Sequence, residues 1–359
     1  MDKQTRYLLF LNYIFYDTPS RFHEILSQFP TQSSIDKNIS SFINSLSEPK
    51  KKRYSFIKNQ INTVIKQLNK LQVGIITYHH SKYPFLLKEI HNPPPLLYYK
   101  GDINLLQNTC FSVVGTRTPS SYGKEITTLF TQELCPHFTI VSGLAAGIDA
   151  IAHQTCLKFN HPTIAIIGTG INLIYPSHHR ELHELICENG LILSEFPIDT
   201  KGFSHHFPQR NRLISGISKG TLVCEGKHKS GSLITANFAL EQNRDVFAIP
   251  GSIFSKLSEG PNKLIQEGAK LCHKPQDIFE EYGIKSTNNK HANSIKSKDL
   301  NETEIIILSQ IQSQKNTLEY LLKTTSLPLS QLLQILSALE LKKFISRQQD
   351  HSYVCIKEF

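Results

Sequence analysis

Residues 202–216 read GFSHHFPQRNRLISG, where Phe203 and Phe207 interleave with His205, His206, Arg210 and Arg212. Rings that stack beside cations that meet phosphates are the requirements of single-strand nucleic-acid binding, with stacking contributing about 1–3 kcal/mol per base. From Lys201 to Lys229 the chain carries six Lys/Arg and a single acidic residue, Glu225. The competing role is structural, with Phe207 in a core and the arginines paired to Glu195 or Glu225.

A second stretch, SVVGTRTPSSYG at 112–123, has the layout of a nucleotide-binding strand–turn–helix. The second glycine of a dinucleotide fingerprint falls at Arg117, however, and that glycine is what lets backbone approach a pyrophosphate. Arginine there places a planar, permanently charged fork at a helix N-terminus, which suits a backbone phosphate. A structural salt bridge is the alternative for it. A third stretch, KSGSLITA, puts Ser230, Gly231 and Ser232 at a helix start, either as an anion site or as a simple cap.

Signals for catalysis are thinner. Asp149 and His153 lie four apart in GIDAIAH, either an acid–base pair or a local structural bond. Glu195 and Glu225 end two strands, where a carboxylate can bind a ribose hydroxyl. His179 and His183 share a helix face but lack the H-E-x-x-H order and a third ligand, so no metal site is expected. No Walker lysine loop or G-x-S-x-G elbow is present. The expectation is a protein with no catalytic residues, no metal and no cofactor.

The elements that must position these residues fall into zones. Residues 1–71 read as helices, including a basic one, KKKRYSFIKNQINTVIKQLNK, without an acidic residue. A solvated face is its simplest reading, with direct DNA contact as the other. Residues 72–283 alternate short strands ending in glycine or turns (FSVVGTR, TIVSGL, TIAIIGTG, TLVCEG, DVFAIPG) with helical patterns. That alternation predicts an α/β domain with a mostly parallel sheet, whose ligands bind beyond the strands' carboxyl ends. The helix after the Arg117 loop is expected to turn Ile126, Leu129, Phe130 and Leu134 to one face. Residues 284–300 are polar and aperiodic, a linker. In 301–359, Asn301 and Glu304 resemble a capping box. Leu329, Leu332, Leu333, Leu336 and Leu339 follow at helical spacing, and a hairpin closes the chain. Three helices and a hairpin suggest a winged helix-turn-helix.

Bulk properties agree with an anionic partner. The 359 residues include 39 Lys+Arg against 30 Asp+Glu, a formal charge of +9. Seven scattered cysteines with no C-x-x-C pair fit free thiols in a reducing cytosol. The apolar N-terminal stretch is interrupted by Asn12 and has no small-residue cleavage site, so an amphipathic helix is expected rather than a signal peptide. No run reaches the length needed to span a bilayer.

Taken together and in order, VVGTRTPSSYG, VSGLAAGIDAIAH, TIAIIGTGINLIYP, LILSEFP, FPQRNRLISG, KSGSLITANFALEQNRDVFAIPG and GPNKLIQEGAK resemble the bacterial DNA-processing protein A (DprA/Smf) family. The likeness spans roughly residues 75–275 and is specific, because seven segments recur in sequence. It implies a helical, sterile-alpha-motif-like domain (1–71), an extended Rossmann-like domain (72–283) and a C-terminal winged-helix domain (301–359). It also implies a cytoplasmic, non-enzymatic binder of single-stranded DNA that shields incoming strands in competence and natural transformation and helps load the RecA recombinase. Members form homodimers through the Rossmann-like domain, and GPNKLIQEGAKL is the candidate surface. The implied DNA pocket uses Gly115 and Arg117, the Ser142–Gly143 turn, Phe207 with Arg210 and Arg212, and Ser230–Gly231–Ser232. Two departures stand out: KGFSHH before FPQRNR, and Lys343 where members often have glycine. The other classes carried by the sequence are a Rossmann-type nucleotide hydrolase akin to phosphoribohydrolases, using Asp149, His153 and the strand-end Glu195 and Glu225, and a winged-helix transcription factor.

Overall fold

The computed structural model describes residues 1–284, 300–312, 316–325, 327–342, 344–348 and 352–355. Most of the expected linker, and Lys343, lie outside the described residues. The chain forms two compact units, Met1–Gly283 and Ile284–Phe359.

The first unit opens with five helices: α1 (Lys3–Phe15), α2 (Pro19–Gln28), α3 (Gln32–Lys37), α4 (Ile39–Asn44) and α5 (Glu48–Lys70). Every residue of α1 from Tyr7 to Phe15 is buried, as expected of a helix enclosed on all sides. Its one polar interruption is satisfied inside: Asn12 donates to the Glu195 carbonyl at 3.1 Å and accepts from the Tyr98 hydroxyl at 2.8 Å. α5 is the basic helix. It buries Tyr54, Ile57, Ile61, Val64 and Leu68 at helical spacing and turns its lysines outward.

The sheet and its helices follow in the order β1 (Gly74–Thr77), α6 (Phe85–Lys88), β2 (Leu96–Gly101), β3 (Cys110–Val114), α7 (Ser121–Leu134), β4 (Thr139–Ser142), α8 (Ile148–Lys158), β5 (Thr163–Ile167). Next come α9 (Arg180–Asn189), β6 (Leu191–Ser194), α10 (His206–Ile217), β7 (Ser218–Val223), α11 (Gly231–Glu241), β8 (Asp245–Ala248), α12 (Glu259–Gln266), β9 (Lys270–Leu271) and α13 (Gln276–Glu281). The nine strands pair as β1-β2-β6-β5-β4-β3-β7-β8-β9. β1 and β2 run antiparallel to their neighbours, and β6 through β9 are all parallel along that order. The mostly parallel α/β sheet is therefore as the strand–helix alternation predicts. Its inner strands are buried on both faces, which is why they read as unbroken apolar runs. One face shares a core with α1–α5, and the other packs α10, α11 and α12.

β3 is the pivot of this topology. From it the chain winds outward through β4, β5 and β6, then returns to place β7 on its opposite side. Such a reversal opens a crevice beyond the strands' carboxyl ends.

On α7 the buried stripe differs from the expected one. Phe130 and Leu134 are buried with Thr127 and Thr131, whereas Leu129 is 48% exposed. Thr127 can replace a larger apolar residue there because its hydroxyl donates to the Gly123 carbonyl at 2.6 Å.

The second unit contains α14 (Glu302–Gln312), α15 (Leu318–Thr325), α16 (Leu329–Leu341) and the antiparallel pair β10 (Ile345–Arg347) and β11 (Tyr353–Cys355). Asn301 and Glu304 do cap each other, through N–H to carboxylate and N–H to amide oxygen bonds of 2.9 and 2.8 Å. Of the five leucines, Leu332, Leu336 and Leu339 form the inward stripe of α16, and Leu329 and Leu333 face out.

Candidate nucleic-acid interface

Beyond the carboxyl ends of β3, β4, β5 and β7 lies an open groove of about 1530 Å³. Its floor and walls come from the Gly115–Thr118 loop, from Tyr175, from Phe207 and Arg210 of α10, and from Lys227, Lys229 and Ser230–Ser232.

The Arg117 loop is held at both ends. Thr116 N–H donates to the Glu225 carbonyl at 2.7 Å, tying β3's exit to that of β7. Ser120 then caps α7, accepting from Gly123 N–H at 3.0 Å, while its own N–H and hydroxyl donate to the Glu225 carboxylate at 3.0 and 2.5 Å. Glu225 is thus a brace for the loop, and Gly115 packs between Ile148 and the Glu225 carbonyl. Gly147 seats α8 beneath the loop with φ +83°, where a Cβ would lie 2.4 Å from the Thr116 oxygen. Only glycine fits both the dihedral and the approach.

These bonds leave the Arg117 side chain exposed, with its guanidinium carbon 5.5 Å from the centre of the Phe207 ring. Phe207 is half-buried, and Tyr175 lies 5.4 Å away at 38° between ring planes. The ring rests on bare backbone, since a Cβ on Gly168 would sit 3.0 Å from it. One edge of the ring is therefore anchored while a cation–π contact holds the arginine above it.

The other two arginines are spent internally. Arg210 is 4% exposed and donates to the carbonyls of Gly143 and Ile166. Burial lowers its pKa to about 10, opposed by Asp149 and reinforced by Arg117, so it remains a cation beneath the groove. It requires glycine at 143, where a Cβ would meet its guanidinium at 2.5 Å. Arg212 does not line the groove. It is 7% exposed, ion-pairs with Glu195 and donates to the Asn92 carbonyl at 2.9 Å. Ser142 is fully buried, its hydroxyl donating to the Val113 carbonyl at 2.7 Å, so it shapes the turn rather than facing solvent.

At the far wall, Ser230 caps α11, accepting from Ser232 N–H at 3.4 Å with the two hydroxyls 2.8 Å apart. Gly231 faces open space. The N-terminus of this eleven-residue helix, flanked by exposed Lys227 and Lys229, adds positive potential to the wall. Tyr175, Lys227 and Lys229 were not among the residues singled out from the sequence. The lysines were visible in the basic run up to position 229, but Tyr175 carried no signal because its ring enters from a loop 32 positions before Phe207.

Asp149 and His153 are each bonded elsewhere. Burial raises the Asp149 pKa against the opposing Arg210 and the N–H groups of Ala145 and Gly143, the latter donating at 3.1 Å. His153 is fully buried with Nδ1 2.8 Å from the Thr163 hydroxyl, and burial pushes its pKa down to about 3. His183 is likewise pushed by burial to about 4. His179 contacts the Leu144 carbonyl, and no group of three metal-ligating side chains occurs among the described residues.

The buried imidazoles have a consequence for pH. An unfolded histidine titrates near 6.5, so neutral His153 and His183 contribute full stability above that pH and lose it as pH falls toward their folded values. Each steepens the acid loss by up to about 1.4 kcal/mol per pH unit. Urea midpoints should decline from about pH 6.5 downward, and more shallowly in His153→Gln. A pH-independent midpoint over that window would contradict the neutral buried state.

Residues 74–283 match the family described as DNA recombination-mediator protein A. The chain is 47% identical over 211 residues to the DNA processing protein DprA of Bacillus subtilis, covering 58% of this chain and 71% of that protein. The X-ray structure of DNA processing protein A from Streptococcus pneumoniae superposes with a TM-score of 0.61 at 41% identity, covering 65% of this chain and 81% of that one. DNA processing protein A from Helicobacter pylori, whose structure is described for its unique single-stranded DNA binding mode, superposes with a TM-score of 0.54 at 30% identity, covering 59% of this chain and 95% of that one.

Proposed function

We propose, because this chain belongs to the DNA recombination-mediator protein A (DprA/Smf) family, that it binds single-stranded DNA without sequence preference and acts as a DNA-processing protein in natural transformation and recombination. The observation that carries this reading is the exposed Arg117 guanidinium poised 5.5 Å above the Phe207 ring in a groove also lined by Lys227 and Lys229. A ring for a base and cations for the flanking phosphates are the parts such binding needs. The Helicobacter pylori relative, with its single-stranded DNA binding mode, supports the same assignment.

In this reading the protein holds its strand without a catalytic step and presents it to the RecA recombinase. The structural engagement of Asp149, His153, Glu195 and Glu225 favours binding over turnover. Homodimerisation through the Rossmann-like domain fits the position of the 260–271 segment, which ends in the outermost strand β9 with Leu271 exposed. A cytoplasmic location fits the seven free cysteines, and no described helix is long and apolar enough to cross a membrane.

Competition of labelled oligo-dT against unlabelled duplex across a salt series is the test. Single strands should outcompete duplex of the same length, and log affinity should fall linearly with log salt. Preference for duplex, or turnover of a nucleoside monophosphate, would overturn the reading.

A further inference from the structure

A second, open groove of about 1120 Å³ lies between the helical layer and the loop that leads into α10. Lys52 and Phe56 of α5 form one wall, and Lys201 and Phe203 form the other. Phe56 and Phe203 are 54% and 53% exposed, large for aromatic rings with a buried surface available to them. Phe56 is stacked on Tyr13, with centroids 6.4 Å apart at 27°, and Phe203 on His205, at 5.9 Å and 9°. Both rings are thus held in place, Phe203 also by an edge-on contact with His206 at 5.3 Å, while about half of each side chain stays exposed to a further planar group.

The Tyr13 hydroxyl is buried at this groove and has no hydrogen-bond partner among the described residues. Burial and nearby Asp199 raise its pKa, so it stays a neutral donor. Arg53 is committed to Asp17 at 2.9 Å and to the Tyr16 ring at 4.4 Å, which leaves Lys52 and Lys201 as the exposed cations.

The loop 201–204 separates the two grooves and serves both. Gly202 and Ser204 line the groove of Arg117 and Phe207, whereas Lys201 and Phe203 line this one.

We propose that this groove is a second subsite for the same single strand, with bases stacking on Phe203 and Phe56 and phosphates meeting Lys201 and Lys52. The inference rests on the single-strand reading of the first groove, of which this one is the continuation across the 201–204 loop. It gives the basic helix α5 a role in gripping DNA, and it sets a minimum strand length for full affinity.

The test compares oligo-dT of about 6 and about 20 nucleotides, lengths chosen to fill one groove or both, by fluorescence anisotropy with the full chain. Lys52→Ala combined with Phe56→Ala removes two exposed side chains and should leave the fold intact. The expected result is unchanged affinity for the short strand and about tenfold weaker binding of the long one. Long-strand affinity equal to wild type, with Arg117→Ala still weakening both lengths, would assign the groove to another occupant and overturn the subsite alone. An equal loss at both lengths would also overturn it. Failure of the wild-type protein to bind either strand would overturn both grooves.

Discussion

Replacing Arg117 and Phe207 together by alanine should weaken oligo-dT binding by on the order of 100-fold at moderate salt, combining a lost stack with a lost phosphate contact. The singles should separate the two contributions. Phe207→Ala removes the platform and should leave the salt dependence of binding unchanged. Arg117→Ala should lower the slope of log affinity against log salt by about 0.7, the value for one phosphate on a single strand. Neither change should unfold the protein, because Arg117 is exposed and Phe207 only half-buried. Fluorescence titrations across a salt series measure both quantities, and unchanged affinity in both single variants would remove the groove from consideration.

Arg212→Ala should act on stability instead. It leaves Glu195, 4% exposed, without its cation; among the described residues the carboxylate then keeps the Gln209 amide at 3.2 Å, and the Asn92 carbonyl loses a donor. Breaking a buried ion pair from one side costs about 3–5 kcal/mol. Urea unfolding of the purified variant should show that loss, while the salt slope of DNA binding by the folded fraction stays at the wild-type value. Intact stability with a reduced slope would place Arg212 on the DNA.

Much of this architecture is legible in the chain. The runs SVV, TIVS, TIAII and LILS are apolar without alternation because their strands are covered on both faces, and the glycines and serines that follow them mark the carboxyl-end turns. The caps at Ser120, Ser230 and Asn301 are local chemistry, readable within three residues. The face of α7 was less legible, since a threonine that bonds its own helix can occupy a buried position as Leu129 turns outward.

The three arginines mark the division most clearly. The residue types and their order along the chain fixed an α/β sheet, a glycine-to-arginine change in a phosphate loop and an aromatic–basic segment. They could not say which cation is free. That depends on partners distant in sequence: Gly143 and Ile166 carbonyls for Arg210, Glu195 and Asn92 for Arg212, and for Arg117 a ring 90 positions away. Burial forces each enclosed guanidinium to find such partners, because an uncompensated charge inside is costly. Only the folding of α10 against β4, β5 and the helical layer therefore selects Arg117 as the one of these three arginines left open to a ligand.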